Sequence, residues 1–233
     1  MDNYKYCFEI ENGINTSYIS TLFTALFLNK TDMDKLLYEN VSNIHLFYLQ
    51  EMIKRNFVEK IRNNRSIELS TIAEIRNLCI IFGWAKNDNP SKLYDINDFY
   101  IFLLEQLKIK FLHFELCLEP ITVNTTSKEL IDIIDFNSVS KDDLCLSFHI
   151  NRQNNRKVDI MKSIKIIIDN KKNKFNINAI ICFSGCYYAI INIKEQWYYF
   201  DEKQIPSIRC INIKMIKDKI MQDCIMLLYV RNL

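Results

Sequence analysis

A chain of 233 residues, 49% hydrophobic and 25% charged, can bury a sizeable core without disulfides or metals, and its length suits one domain spanning 1–233. Its 30 basic and 28 acidic side chains leave a formal charge of +2, too small for a chain-wide footprint on nucleic acid or anionic lipid. No apolar run reaches the ~20 residues that span a bilayer, and the polar, acidic start lacks the zones of a signal peptide. A soluble, intracellular, cytoplasmic protein is expected, with no membrane and no nucleic-acid partner. The eight cysteines lie mostly alone in apolar segments and read as buried free thiols rather than a disulfide framework. Abundant Asn, Lys and Ile with only three glycines and three prolines accompany AT-rich coding, as in some large DNA viruses and intracellular parasites. A viral source, and a place in the virus particle, are compatible with that usage.

The first element begins at Ser17, where Ile19, Leu22, Phe23, Leu26 and Phe27 recur at helical spacing, with Thr16 and Ser17 suited to the N-cap. Helical patterning returns from Ser42 to Asn63, from Ser70 to Phe82, and from Asn97 to Leu107 with Asn97 or Asp98 as cap. From Phe111 the period changes to two: Leu112, Phe114, Leu116 and Leu118 fall on one strand face. A short helix is expected near Lys128 to Ile134. Strands are expected at Leu144–Asn151, Ile164–Asp169, Asn176–Phe183, Tyr187–Ile193, Gln196–Asp201 and Ile225–Arg231. The chain therefore reads as an α+β domain, a helical lobe of about 1–110 on a mainly antiparallel β lobe of about 111–233, with a groove between them as the natural site.

Asn12, Asn15, Thr16 and Ser17 form a polar loop entering a helix, a place where a nucleophile and oxyanion donors can meet. Ordinary capping by Ser17 is the simpler reading of that stretch. None of the three histidines, His45, His113 and His149, has a recognisable catalytic setting, and His149 shares a strand face with Ser147 and Asn151. Cys182 and Cys186 are close in sequence but lack the second pair that a zinc knuckle needs, so no metal and no cofactor are expected. The basic run Lys171, Lys172 and Lys174 reads as a solvated turn.

The stretch Asn12 to Leu26, NGINTSYISTLFTAL, resembles the Cys box of the ubiquitin-specific proteases, Asn-x-Gly-Asn-Thr-Cys-Tyr, matching at Asn12, Asn15, Thr16 and Tyr18. Phe175 to Ile205 is similar to the His box: Ala179, Gly185, Tyr187, Ala189, Trp197, Phe200 and Asp201 keep its pattern. Leu146–Arg152 resembles the palm strand ending Leu-x-Arg-Phe, and Cys224–Arg231 the closing strand of the family. The resemblance implies a papain-like fold of the ubiquitin-specific protease type, with a helical thumb and an antiparallel palm. The paired Cys-x-x-Cys motifs of the zinc-stapled fingers are absent, and 118–144 is too short to hold them.

In the family a cysteine attacks the carbonyl after the ubiquitin tail, a histidine keeps it ionised, and Asp or Asn orients the ring. Here the resemblance implies an oxyanion donor at Asn12 and an orienter at Asp201, but Ser17 replaces the nucleophile and Cys186 the histidine. A serine hydroxyl needs a base to take its proton, and a thiol of ordinary pKa about 8.5 is a poor one. Ile14 stands at the family's glycine and is expected to narrow the tail channel. The resemblance thus implies an inactive homologue, a pseudoenzyme that binds a protein partner or acts as a scaffold, its grip on ubiquitin weakened by the missing fingers. The alternative is a hydrolase using Ser17 as an atypical nucleophile on ubiquitin or a related modifier.

Overall fold

The computed structural model describes residues 6–38, 41, 43–85, 92–107, 112–117, 125–126, 145–151, 158–168 and 171–231. Its helices are α1 (Ser17–Phe27), α2 (Lys35–Tyr38), α3 (Ile44–Glu51), α4 (Glu59–Arg62), α5 (Leu69–Ile81), α6 (Ile96–Gln106) and α7 (Lys217–Asp223). A π-helical stretch, Met52–Val58, joins α3 to α4, so the periodic segment expected over 42–63 is helical nearly throughout.

Every residue of α1 is buried, including Ser20, Thr21 and Thr24, because α1 lies between the other helices and the sheet. Thr24 Oγ1 donates to the Ser20 carbonyl and Ser20 Oγ to Glu202, whereas Thr21 Oγ1 is buried with no partner among the described residues; from the sheet, Asn178 Nδ2 donates to the Ala25 carbonyl. At the other end of α1, Arg62 donates Nε to the Phe27 carbonyl and pairs bidentately with Asp34 at 2.6 and 3.0 Å, tying α4 to the helix terminus. Tyr18, Trp84, Tyr94, Phe99 and Phe102 pack ring on ring around α1 and α6.

The cap of α6 is Asp95, not Asn97 or Asp98: its Oδ1 accepts from the Asn97 and Asp98 amides at 2.7 and 3.3 Å. Asn97 is instead buried within the first turn. Asp95→Ala should lower stability by about 1 kcal/mol, readable as a shifted denaturation midpoint with unchanged slope.

The strands are β1 (Leu112–Cys117), β2 (Thr125–Thr126), β3 (Cys145–Asn151), β4 (Val158–Asp159), β5 (Ser163–Ile168), β6 (Lys171–Phe183), β7 (Tyr187–Ile193), β8 (Gln196–Phe200), β9 (Ile208–Ile211) and β10 (Cys224–Arg231). The main sheet runs β1-β3-β10-β6-β7-β8-β9, and β5 joins β6. Its pairings are antiparallel except β1 with β3, which is parallel, in keeping with the expected mainly antiparallel lobe. The helix expected at Lys128–Ile134 and most of 118–144 lie outside the described residues.

Alternation in β7 divides the sheet's two faces. Tyr187, Ala189, Ile191 and Ile193 belong to the core shared with the helices, whereas Tyr188 and Ile190 join Trp197, Tyr199 and Ile220 in a second core under α7. The amino-terminal segment belongs to both lobes: Phe8 packs near Phe200, its carbonyl accepts from the Ser207 amide, and Ile10 bridges to Ile67. Not all thiols are buried as expected: Cys79, Cys145, Cys182 and Cys224 are, but Cys7 is exposed and Cys186 and Cys210 are half-buried.

Candidate functional site

The loop 11–16 enters α1 through a conformation that its sequence explains only partly. Asn15 holds the positive φ of 53°, which asparagine tolerates better than most residues. Ile14, expected to obstruct the channel, is 74% exposed and has no positive φ. The glycine that close packing requires is Gly13, where a Cβ would lie 2.4 Å from Leu69 Cδ1 and 2.9 Å from Thr16 Cγ2. Asn12, the expected oxyanion donor, is exposed on this loop.

Thr16 occupies the N-cap position, but its side chain makes no cap bond. Its Oγ1 accepts from the Gly13 amide at 3.1 Å and donates towards Glu202 Oε1 at 3.3 Å. Ser20, one turn on, donates a short hydrogen bond from Oγ to Glu202 Oε2. Glu202 is thereby the carboxylate that fastens the first turn of α1 to the end of β8. Burial, and to a lesser extent the neighbouring Asp201 charge, pushes its pKa up to about 7, while the Ser20 and Thr16 hydroxyls pull the other way. Sequence reading passed over Glu202, although its place two residues after buried Phe200 puts it on the helix-facing side of the strand's path.

Asp201 has the opposite parity and faces away from α1. Its Oδ1 accepts from the Lys203 amide at 3.0 Å, and its Oδ2 from Gln204 Nε2 at 3.1 Å and the Tyr199 hydroxyl at 3.4 Å. Both oxygens are thus engaged within the turn after β8. Cys186 sits in the β6–β7 hairpin after Gly185, whose φ of 73° makes the turn, and its carbonyl accepts from the Ser184 amide. It comes near enough to Tyr199 to raise that phenol's pKa, after the larger effects of burial and Asp201. Tyr199 in turn stacks on Tyr188, with Arg209 over its ring at 5.1 Å.

The structure therefore gathers Cys186 and Asp201 around Tyr199, and gathers the helix turn that carries Ser17 around Glu202. Ser17 is 4% exposed; its carbonyl accepts from Ser20 Oγ at 3.4 Å. Among the described residues no hydrogen bond joins the Ser17 hydroxyl to Cys186 or Asp201.

The histidines lie elsewhere. His113 in β1 hydrogen-bonds Ser147 at 2.8 Å and packs edge-on against Tyr100. From β1 to β8 is five strand spacings, roughly 24 Å at ~4.8 Å each, and from β3, which carries His149, to β7 is three, roughly 14 Å. His45 is exposed at the start of α3. Among the described residues no three His, Cys, Asp or Glu side chains cluster as metal ligands.

No known family profile and no curated protein sequence matches the chain. Its fold is similar to that of a chain in the SAGA Ubp8/Sgf11/Sus1/Sgf73 DUB module, with TM-score 0.58 and 11% identity over 96% of this chain and 68% of that one. The fold is ubiquitin-specific-protease-like. At such identity the likeness establishes the helical lobe on a mixed, largely antiparallel sheet and leaves the chemistry to the residues themselves. No helix among the described residues is long and apolar enough to cross a membrane.

Proposed function

We propose that the protein is a catalytically inactive homologue of the ubiquitin-specific proteases, a thumb-and-palm pseudoenzyme that works by binding another protein. The observation that carries this reading is that, among the described residues, no hydrogen bond joins the Ser17 hydroxyl to a histidine, to Cys186 or to Asp201, while the Glu202 carboxyl on the same turn is bonded to Ser20 and Thr16. Ser17 begins the central helix, but His113 and His149 sit on strands several spacings from the hairpin that holds Cys186, and His45 is on the outer surface of α3. A hydroxyl nucleophile without a base to accept its proton has no route to acyl transfer at neutral pH. Asp201, the expected orienter, serves as the acceptor that closes its own turn.

A binding role is supported by apolar residues presented to solvent. Ile44, Phe47 and Tyr48 are 76%, 52% and 49% exposed and fall at i, i+3 and i+4 on one face of α3, with Tyr38 nearby on α2 at 60%. Exposed large apolar side chains grouped on one helix face are a common mark of protein contact.

Purified protein should neither hydrolyse ubiquitin conjugates nor become labelled by a ubiquitin probe with an electrophilic tail, read by intact mass. Turnover or labelling that disappears in Ser17→Ala would overturn the reading and establish a serine-dependent hydrolase instead.

A further inference from the structure

A cavity lies away from the Ser17 end of α1, where the partner of β6 changes. Over 171–176 one edge of β6 pairs with β5, and over 179–183 that edge pairs with β7. The two partners leave a fork at Ile177 and Asn178. Ile177 donates its amide to the Lys162 carbonyl, and its own carbonyl accepts from Asn192 Nδ2 at 3.2 Å. The fork opens into a cavity of about 680 Å³, within the usual range for a small-molecule site.

Its lining is cationic and amide-rich. Lys162, Lys174 and Lys194 contribute ammonium groups, and Asn29, Asn178 and Asn192 contribute amides; Glu195 is the one acid among the described lining residues. Asn178 is satisfied, accepting from Asn29 Nδ2 at 3.0 Å. Asn192 is not: its Oδ1 is buried with no hydrogen-bond partner among the described residues. A buried carbonyl oxygen without a donor is costly, and it marks the fork as a place where the sheet's own bonding is incomplete.

A second cavity of about 250 Å³ adjoins the first, sharing Lys162, Ile177 and Trp197 with it. Its remaining walls are largely aliphatic, with Ile160, Ile180, Ile213 and Ile220 under α7, and Lys214 and Lys217 among its lining residues. Lysines around a polar, amide-rich chamber and an aliphatic groove beside it describe a ligand of two parts. We infer that this fork binds a small amphiphilic anion: a phosphate or carboxylate head among the lysines and amides, and an aliphatic body in the groove. The aliphatic walls favour a hydrocarbon chain over a nucleobase, whose polar edge would find few partners there. The inference stands apart from the proposed loss of catalysis and survives if that reading fails.

The sequence holds two tryptophans, Trp84 in the helical core and Trp197 on the shared cavity wall, so Trp84→Phe isolates a reporter at the site. At physiological ionic strength, 1-octanoyl-glycerol 3-phosphate below its micellar concentration should change Trp197 emission saturably. Isothermal titration of the unsubstituted protein should return the same constant. Lys162 and Lys174 are exposed, so Lys162→Gln with Lys174→Gln should leave the fold intact and weaken binding at least about tenfold. Inorganic phosphate alone and uncharged octanoyl glycerol should each bind at least about tenfold more weakly than the parent ligand. Co-sedimentation with phosphatidylcholine vesicles containing phosphatidic acid would assign the head group to membrane lipid, and binding of the soluble amphiphile without it would assign a soluble ligand. Absence of saturation, equal affinity for the uncharged analogue, undiminished affinity in the double lysine variant, or stronger competition by a glutamate-rich peptide would each overturn the assignment.

Discussion

Ser17→Cys combined with Cys186→His is expected to remain unlabelled by a ubiquitin-tail electrophile, although it restores both side chains of the family's reacting pair. A thiolate would then begin α1, where the helix terminus favours negative charge, and an imidazole would stand in the hairpin beside Tyr199. What the pair would lack is the third group. Asp201 spends Oδ1 on the Lys203 amide and Oδ2 on Gln204 and Tyr199, so an imidazole would have to displace bonds that shape the turn. An imidazole without its orienter samples the wrong tautomer and rotamer, and a triad that acts as a unit loses orders of magnitude when one member is misplaced. The Ile14 side chain is 74% exposed, and removing it would leave the Asp201 hydrogen bonds as they are. Adding Ile14→Gly to the double variant should therefore change nothing, whereas adding Tyr199→Phe and Gln204→Ala, which release Oδ2, should give the first detectable labelling. Rapid labelling of the double variant alone would show that Asp201 is free to turn, and would return tail binding to the list of present functions.

The sequence showed the helical lobe and the strands well because both carry long, regular patterns. The α1 stripe and the period change before β1 follow the helical and strand repeats, and Tyr187–Ile193 reads as a strand through its β-branched and aromatic residues although both of its faces are buried. Partner direction is not encoded in alternation, which is why β1 reads as a strand but not as one parallel to β3. The short strand Ile208–Ile211 and helix Lys217–Asp223 were missed because four and seven residues carry too little period, and 217–223 mixes charge with a single deeply buried residue, Ile220. The candidate site was legible as a set of positions and not as contacts. Asp201 followed two residues later by the Lys203 amide is an Asx-turn arrangement that could have been read from chemistry alone. Glu202 was hidden by the more familiar acid beside it, yet it is the one that meets α1.

Glu202→Gln is expected to make the protein more stable at pH 8 while leaving it nearly unchanged at pH 5. Glu202 is 4% exposed, and burial moves its carboxyl pKa from the ordinary 4.5 to about 7. Below pH 4.5 it is protonated in both folded and unfolded chains and contributes no pH dependence. Between 4.5 and 7 the folded chain holds the proton that the unfolded chain has released, so stability falls as pH rises, and above 7 the full cost remains. A shift of that size corresponds to about 3 kcal/mol at 1.36 kcal/mol per unit. Glutamine keeps an acceptor for the Ser20 and Thr16 hydroxyls and carries no charge to desolvate, so it removes the slope without opening a cavity. For a chain of this size the gain at pH 8 should appear as a rise in Tm of several degrees, and the difference between variant and parent should vanish as pH approaches 4.5. A parent whose Tm is flat from pH 5 to 8, or a glutamine variant less stable than the parent at pH 8, would mean that the Glu202 charge is satisfied in place and that the ionised carboxylate itself holds α1 to the turn after β8.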